Sequence, residues 1–238
     1  MQNALVTGVS RRAGIGFAIV ERLRQDAVKV FTHGWKAHDA AQAWGADASV
    51  TPDIEADFAD PEAPARVVAA ARAALGPLDV LVVNHARSGH GRLGELSAEH
   101  VDAFLHENVR ASLLLVKEFA AQYEGPSGRV VLLTSGAHLG PMSREVAYAV
   151  SKGALAIATA TLADELAERG ITVNCVNPGP TETGWGLSEI DPAPLMPLGR
   201  WGEPDDAARL VAWLCSDDAR WLTGQVIDSE GGFRRLDG

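Results

Sequence analysis

Asn3-Ala-Leu-Val-Thr7-Gly8-Val-Ser10-Arg11-Arg12-Ala-Gly14-Ile15-Gly16-Phe17-Ala-Ile-Val-Glu-Arg-Leu-Arg24 reads as strand, turn and helix in immediate succession. Asn3 to Thr7 is a short apolar run with a β-branched residue near its end. Gly8, Gly14 and Gly16 then punctuate a turn, and the residues from Phe17 recur in the amphipathic pattern of a helix. Glycines allow backbone to approach a pyrophosphate closely. The helix amino terminus adds unpaired N–H groups and a partial positive charge. A glycine cluster in this setting, after a strand and opening a helix, is a dinucleotide cradle.

Outward from this unit, strand-like runs recur at Ala4–Thr7, Val28–Thr32, Ile54–Asp57, Val80–Asn84, Val130–Thr134, Thr172–Asn177 and Gln225–Asp228. Helical patterns lie between them at Ile15–Gln25, Glu62–Leu75, Ala98–Tyr123, Ala147–Glu168 and Pro204–Cys215. The Gly/Ala/Trp-rich stretch between the second and third strands has no clear period. Strands alternating with helices imply right-handed crossovers and a parallel sheet covered on both faces. Runs such as Leu78-Asp-Val-Leu-Val-Val83 suit strands buried on both sides. The expected fold is therefore α/β, a Rossmann-like, doubly wound parallel sheet of about seven strands. No linker, charge block or repeat divides residues 1–238, which predicts a single domain. In such sheets ligands bind beyond the carboxyl ends of the strands. Gly8, Asn84, Ser135 and Pro178 all fall there, so one crevice is expected to collect them.

Two further positions carry chemistry. Tyr148 and Lys152 stand four residues apart in a stretch without proline, so on a helix they share a face. Ser135 closes the apolar run from Arg129 and is delivered from the carboxyl end of a strand. A free phenol has a pKa of about 10, and a fixed cation beside it favours the phenolate. The spacing predicts that Lys152 lowers the Tyr148 pKa, making the phenol a proton donor and acceptor near neutrality.

Composition narrows the class. A net charge of −10 argues against nucleic acid or an anionic membrane as partner, while a local basic patch could still hold a phosphorylated cofactor. Two cysteines, Cys175 and Cys215, make neither a disulfide framework nor a metal site. His85 and His90 lack a carboxylate or thiol at ligand spacing, so no metal is expected. Only Met1 and Gln2 precede the first strand, and the apolar stretch Ala154 to Ala163 is short for a bilayer. A cytoplasmic protein is expected. The helix Ala147–Glu168 is apolar or small nearly all round, which predicts that a second subunit covers one face.

Taken together, these residues resemble the classical short-chain dehydrogenase/reductase family over nearly the whole chain. Thr7-Gly8 with Gly14 and Gly16 matches its cofactor loop, with Ser10, Arg11, Arg12 and Ile15 beside it. Asp57 and Phe58 match the adenine contact, and Asn84-His85-Ala86 the motif after the fourth strand. Asn108, Ser135, Tyr148 and Lys152 match the catalytic tetrad, and Pro178, Gly179, Thr181 and Thr183 the nicotinamide-side loop. The resemblance implies an NAD(P)(H)-dependent oxidoreductase that reduces a carbonyl or oxidises the matching secondary alcohol. In it Tyr148 is the acid/base, Lys152 holds the ribose, Ser135 binds the substrate oxygen and Asn108 fixes a water. It also implies a homotetramer and a substrate lid near residues 183–200, where Trp185 sits. Within the family the runner-up activity is 3-oxoacyl-[acyl-carrier-protein] reduction. Outside it, the alternative is a non-catalytic NADP(H)-binding sensor.

The chain departs from the family at several points. Five residues separate Gly8 from Gly14 where three are usual, a width shared with enoyl-carrier-protein reductases, whose tyrosine and lysine stand further apart. Arg87, after Asn84-His85-Ala86, admits two readings: a contact to substrate or cofactor phosphate, or a solvated loop arginine. His138, three residues past Ser135, either lines the substrate pocket or is structural. The second strand closes with Val30-Phe-Thr-His33-Gly34-Trp35-Lys36 and has no acid until Asp39, so no carboxylate is expected to repel a 2′-phosphate. With Arg11, Arg12 and Lys36 as a basic patch, NADP(H) is expected over NAD(H).

Overall fold

The computed structural model describes residues 2–42, 44–184 and 186–235. Its seven strands are β1 (Asn3–Thr7), β2 (Lys29–Gly34), β3 (Ile54–Glu55), β4 (Val80–Val83), β5 (Gly128–Leu133), β6 (Ile171–Asn177) and β7 (Val226–Asp228). All enter one sheet in the order β3-β2-β1-β4-β5-β6-β7, and every pairing is parallel. The helices are α1 (Ile15–Gln25), α2 (Lys36–Ala40), α3 (Ala63–Leu75), α4 (Ala98–Phe104), α5 (Ala111–Gln122), α6 (Val146–Ala167) and α7 (Pro204–Cys215).

The strands are apolar on both faces because both are covered. Leu5, Leu81, Val130 and Leu132 point into one core, with Val67 of α3 and Leu115 and Phe119 of α5. Their neighbours Ala4, Val6, Val80, Val82 and Val131 point into the other, with Ile19 and Leu23 of α1 and Val211 and Leu214 of α7. The period-2 alternation of a strand thus meets an apolar layer on either side.

Two local departures matter for the site. The stretch after β2, which carries no clear period, forms the short helix α2. The helix expected over Ala98–Tyr123 is interrupted by a π turn at Leu105–Arg110. Such a turn widens the backbone and upsets its hydrogen-bond ladder, and here it carries Asn108. Helix α6 is 22 residues long and apolar enough, with a mean hydropathy of 1.4, to cross a membrane. In this fold it packs on β6, burying Leu155, Thr159, Ala163 and Leu166.

The sheet reverses winding direction between β1 and β4, and the crevice opens there. Thr7, fully buried at the end of β1, spans that junction. Its hydroxyl accepts from the Asn84 and His85 amides at 3.1 and 3.3 Å and meets His85 Nδ1 at 2.9 Å. Thr7→Val keeps the shape but leaves these groups without their partner. It should lower stability by about 2 kcal/mol, read as a lower urea midpoint at unchanged m. An unchanged midpoint would show that the junction does not depend on the hydroxyl.

Candidate active site

The carboxyl ends of the strands surround a cleft of about 840 Å³. At one end lies the glycine loop. Gly8 has φ +75°, and a Cβ there would lie 2.7 Å from His85 Cα, so only glycine fits. The Asn84 amide donates to the carbonyls of Thr7 at 3.1 Å and Gly8 at 3.0 Å, tying the β4 exit to the loop. Gly16 packs so closely on Gly8 and Asn84 that a side chain would collide with both. Helix α1 begins after Gly14 with no side-chain cap and no acid in its first turn. Its amino-terminal N–H groups therefore suit an anion. These residues fit a dinucleotide pyrophosphate.

Beyond β2 the wall is aromatic. Phe58 stacks on His33 at 4.2 Å between ring centroids and meets His85 at 4.3 Å. His33 Nε2 donates to the Ala56 carbonyl, and burial pushes its pKa down to about 4. His85 Nε2 donates to the Glu107 carbonyl at 3.0 Å. A carbonyl only accepts, so Nδ1 is unprotonated and accepts from the Thr7 hydroxyl. Burial holds His85 well below the usual range as well. Both rings are neutral at pH 7, so this part of the wall carries no charge.

At the other end stand Ser135, at the exit of β5, and Tyr148 and Lys152 on α6. Lys152 is gripped twice: Thr134 Oγ1 donates to its carbonyl at 2.7 Å, and its ammonium donates to the Leu133 carbonyl at 2.7 Å. Burial pulls the Lys152 pKa down to about 8. Here the sequence expectation needs correction. The Tyr148 pKa is raised, by burial first and by the Glu145 charge second. The ammonium is spent on the Leu133 carbonyl and does not offset that burial. The Ser135 hydroxyl has only a weak contact to Met142 Sδ at 3.8 Å.

Asn108 is fully buried in the π turn and does not line the cleft. Its amide Nδ2 donates to Ser151 Oγ and to the Arg87 carbonyl, both at 2.9 Å, and its Oδ1 accepts from the Arg87 amide at 2.6 Å. Arg87 faces the cleft and pairs with Glu107 at 2.6 Å. His85 and Arg87, the departures in the motif after β4, thus both grip Glu107 and set the turn that carries Asn108.

The two loop arginines part company. Arg11 lines the cleft, pairs with Asp39 at 3.2 Å, donates to the Thr183 carbonyl at 2.7 Å and lies 4.3 Å over the Trp44 ring. Arg12 turns away to Asp47 and Ser49, over Phe17, and is not in the cleft wall. The expectation of no carboxylate near the ribose end is also corrected, because α2 folds Asp39 back into the cleft.

Ser10, Gly14, Ile15, Asp57, Phe58, Ala86, Pro178, Gly179, Thr181 and Thr183 all line the cleft. His138 does not; it meets Asp228 at 3.2 Å. Trp185 lies outside the described residues. Sequence reasoning missed His33, Trp35 and Trp44 along the ribose end, and Glu230, Phe233 and Arg235 beside Ser135. His33 and Trp35 sit in or just after β2, where an aromatic-rich strand end was a usable signal, and Trp44 lies beyond α2. The second group lies far along the chain and carries no local signal.

Comparisons with known proteins identify the family. A family model described as enoyl-(acyl carrier protein) reductase matches residues 8–234. The uncharacterized oxidoreductase YjdA of Bacillus subtilis is 39% identical over 245 residues, 98% of this chain and 96% of its own length. A short-chain dehydrogenase from Burkholderia cenocepacia, solved in complex with NADP, superposes with a TM-score of 0.83 at 34% identity, covering 97% of both chains. A blue fluorescent protein from a metagenomic library, in complex with NADPH, gives 0.84 at 33% identity, covering 98% of both. With its parallel seven-stranded sheet, its glycine cradle and Tyr148 four residues before Lys152, the chain belongs to the classical short-chain dehydrogenase/reductase family.

Proposed function

We propose that this protein reduces a small neutral ketone, or oxidises the matching secondary alcohol, with NADP(H) as hydride carrier. The observation that carries the reading is the convergence of Ser135, Tyr148 and Lys152 at one end of a cleft whose other end is a pyrophosphate cradle. The nicotinamide, when bound, supplies or receives the hydride. Ser135 holds the substrate oxygen, and its hydroxyl is available because Met142 Sδ is a weak acceptor. Tyr148 gives that oxygen its proton in reduction and takes it back in oxidation. Lys152 holds the ribose and, on leaving the Leu133 carbonyl, offsets the burial that raises the phenol. Asn108 fixes the π turn against α6 through Ser151.

Charges near the substrate end argue for a neutral substrate. Arg87 is paired with Glu107, Arg235 with Glu230, and His90 lies 3.4 Å from Glu145. No carboxylate substrate is needed to balance them. Pro141, Met142, Leu187 and Phe233 supply apolar surface beside them. An acyl-carrier-protein thioester, the runner-up, needs a basic docking surface, which the net charge of −10 disfavours. The four-residue spacing of Tyr148 and Lys152 argues against enoyl reduction. A sensor would need no complete set of catalytic groups. Turnover of NADPH on a ketone panel, with acyl-thioesters alongside, separates these readings.

Tyr148→Phe should cut kcat roughly a hundred- to ten-thousandfold while leaving cofactor affinity within about twofold. Retention of more than about a tenth of turnover would remove the proton-transfer role from Tyr148.

NADP(H) is favoured over NAD(H) because Arg11 stands at the ribose end of the cleft. The two NADP-bound neighbours support the same choice. Asp39 opposes it, and Arg11 pairs with that carboxylate at 3.2 Å. Arg11→Ala should reduce the NADPH-over-NADH ratio of kcat/KM about tenfold or more, since it removes a cation and frees a carboxylate. Asp39→Asn should raise the ratio. An NADH preference in the wild type, or a ratio unmoved by both changes, would overturn the choice.

We also propose a tetramer. Val150 and Ile157 on α6 and Leu113 on α5 are exposed apolar side chains, with Ile157 80% exposed. Trp213 on α7 and Trp221, which is 97% exposed, are others. Exposed apolar side chains on two different helices, α6 and α7, suit a closed assembly of four with two kinds of interface. Sedimentation at micromolar concentration should give about four times the 25.1 kDa chain mass. Ile157→Glu should break one interface and leave dimers. A wild-type monomer would sink the proposal.

A further inference from the structure

The segment after β7 returns to the catalytic end of the cleft and inserts an arginine there. Arg235 makes a two-pronged ion pair with Glu230, Nη2 to Oε1 at 2.6 Å and Nη1 to Oε2 at 2.8 Å. Glu230 is nearly buried, and its Oε1 also accepts from Asn177 Nδ2 at 2.7 Å. Asn177 Oδ1 in turn accepts from the Gly179 amide at 3.1 Å. On its other side, Arg235 Nη2 reaches the Gly136 carbonyl at 3.4 Å, one residue past Ser135. One guanidinium therefore touches the loop that follows Ser135 and, through one carboxylate, the loop that follows β6.

The slot for this side chain is built from absent side chains. A Cβ at Gly140 would collide with Arg235 Cδ, and a Cβ at Gly136 with its Nη2 and with Glu230 Oε1. Neither glycine has a positive φ, so backbone conformation does not require glycine at either position. Space for Arg235 does. Phe233 closes the arrangement, its ring centroid 5.1 Å from the guanidinium carbon.

We infer that Arg235 is a positioning residue that sets the Ser135 loop against Asn177, at the end of β6, and Gly179 beyond it. The inference rests on the reductase reading. With the pyrophosphate at the α1 amino terminus, the nicotinamide half lies at the Ser135 and Tyr148 end, beside residues 177–179. Arg235 acts through Glu230 and Gly136 and does not touch the reacting atoms. Its loss should loosen the nicotinamide half of the cleft and leave the adenosine half intact.

Calorimetric titration of NADPH and of 2′-phospho-ADP-ribose, which lacks the nicotinamide ring, tests this on the wild type, Arg235→Ala, Gly140→Ala and the double variant. Arg235→Ala should weaken NADPH binding about tenfold and lower kcat on the best ketone by ten- to a hundredfold, as misplacement of reacting groups does. Binding of 2′-phospho-ADP-ribose should stay within about twofold of wild type, since only the distant half is disturbed. Gly140→Ala expels the same side chain and should give the same pattern. The double variant should be no worse than Arg235→Ala by more than about twofold, because both changes remove one interaction. Arg235→Lys, which cannot span both loops, should not restore NADPH affinity. Equal losses for the two ligands, no loss for either, or additive losses in the double variant would each overturn the inference. A wild type that binds neither ligand would overturn the cofactor reading itself, and this inference with it.

Discussion

The Asn84 side-chain amide, held between the carbonyls of Thr7 and Gly8, is the contact from which the rest of the site follows. It joins the exits of β1 and β4 where the sheet changes winding direction. Because Gly8 has a left-handed φ and Gly16 has no side chain, the loop, the β4 exit and α1 can meet at backbone distance. The amino terminus of α1 is thereby aimed across the cleft. A side chain at Gly8 or Gly16 would force these three elements apart.

From that junction a line of hydrogen bonds runs to α6, the helix that carries Tyr148 and Lys152. Thr7 bonds His85, and His85 bonds the Glu107 carbonyl in the π turn. The next residue, Asn108, bonds Ser151, which lies between Tyr148 and Lys152 on α6. Arg87 reinforces the same turn through the Glu107 side chain and through both of its own backbone groups. The glycine loop and α6 are thus parts of one buried polar network whose members are largely satisfied, a condition under which such networks hold a single arrangement.

Much of this was legible in order along the chain. Strand and helix periods depend on residues two to four apart, so α1 and α7 match their expected bounds and the other main elements differ by a few residues. The places of the glycine loop, Ser135, Tyr148 and Lys152 in the cleft were legible because they follow from strand ends and helix spacing. The π turn was not, since one extra backbone residue leaves the apolar pattern of α4 and α5 nearly unbroken. Helix α2 was hidden by its length of only five residues, too short to show a period.

What the sequence by itself determined is the sheet, its winding and the crevice at which Gly8, Asn84, Ser135 and Pro178 meet, because these follow from short-range periodicity and glycine placement. What only the tertiary structure decided is how each charge in that crevice is answered. Asp39 is carried back to Arg11 by a helix with no sequence signature, so the charge at the ribose end could not be counted from β2 alone. The Lys152 ammonium takes the Leu133 carbonyl, so i to i+4 spacing did not settle the state of the Tyr148 phenol. Arg235 and Glu230 reach Gly136 and Asn177 across the carboxyl edge of the sheet. Electrostatic partners are selected by distance in space and by burial, and neither is encoded in the separation of residues along the chain.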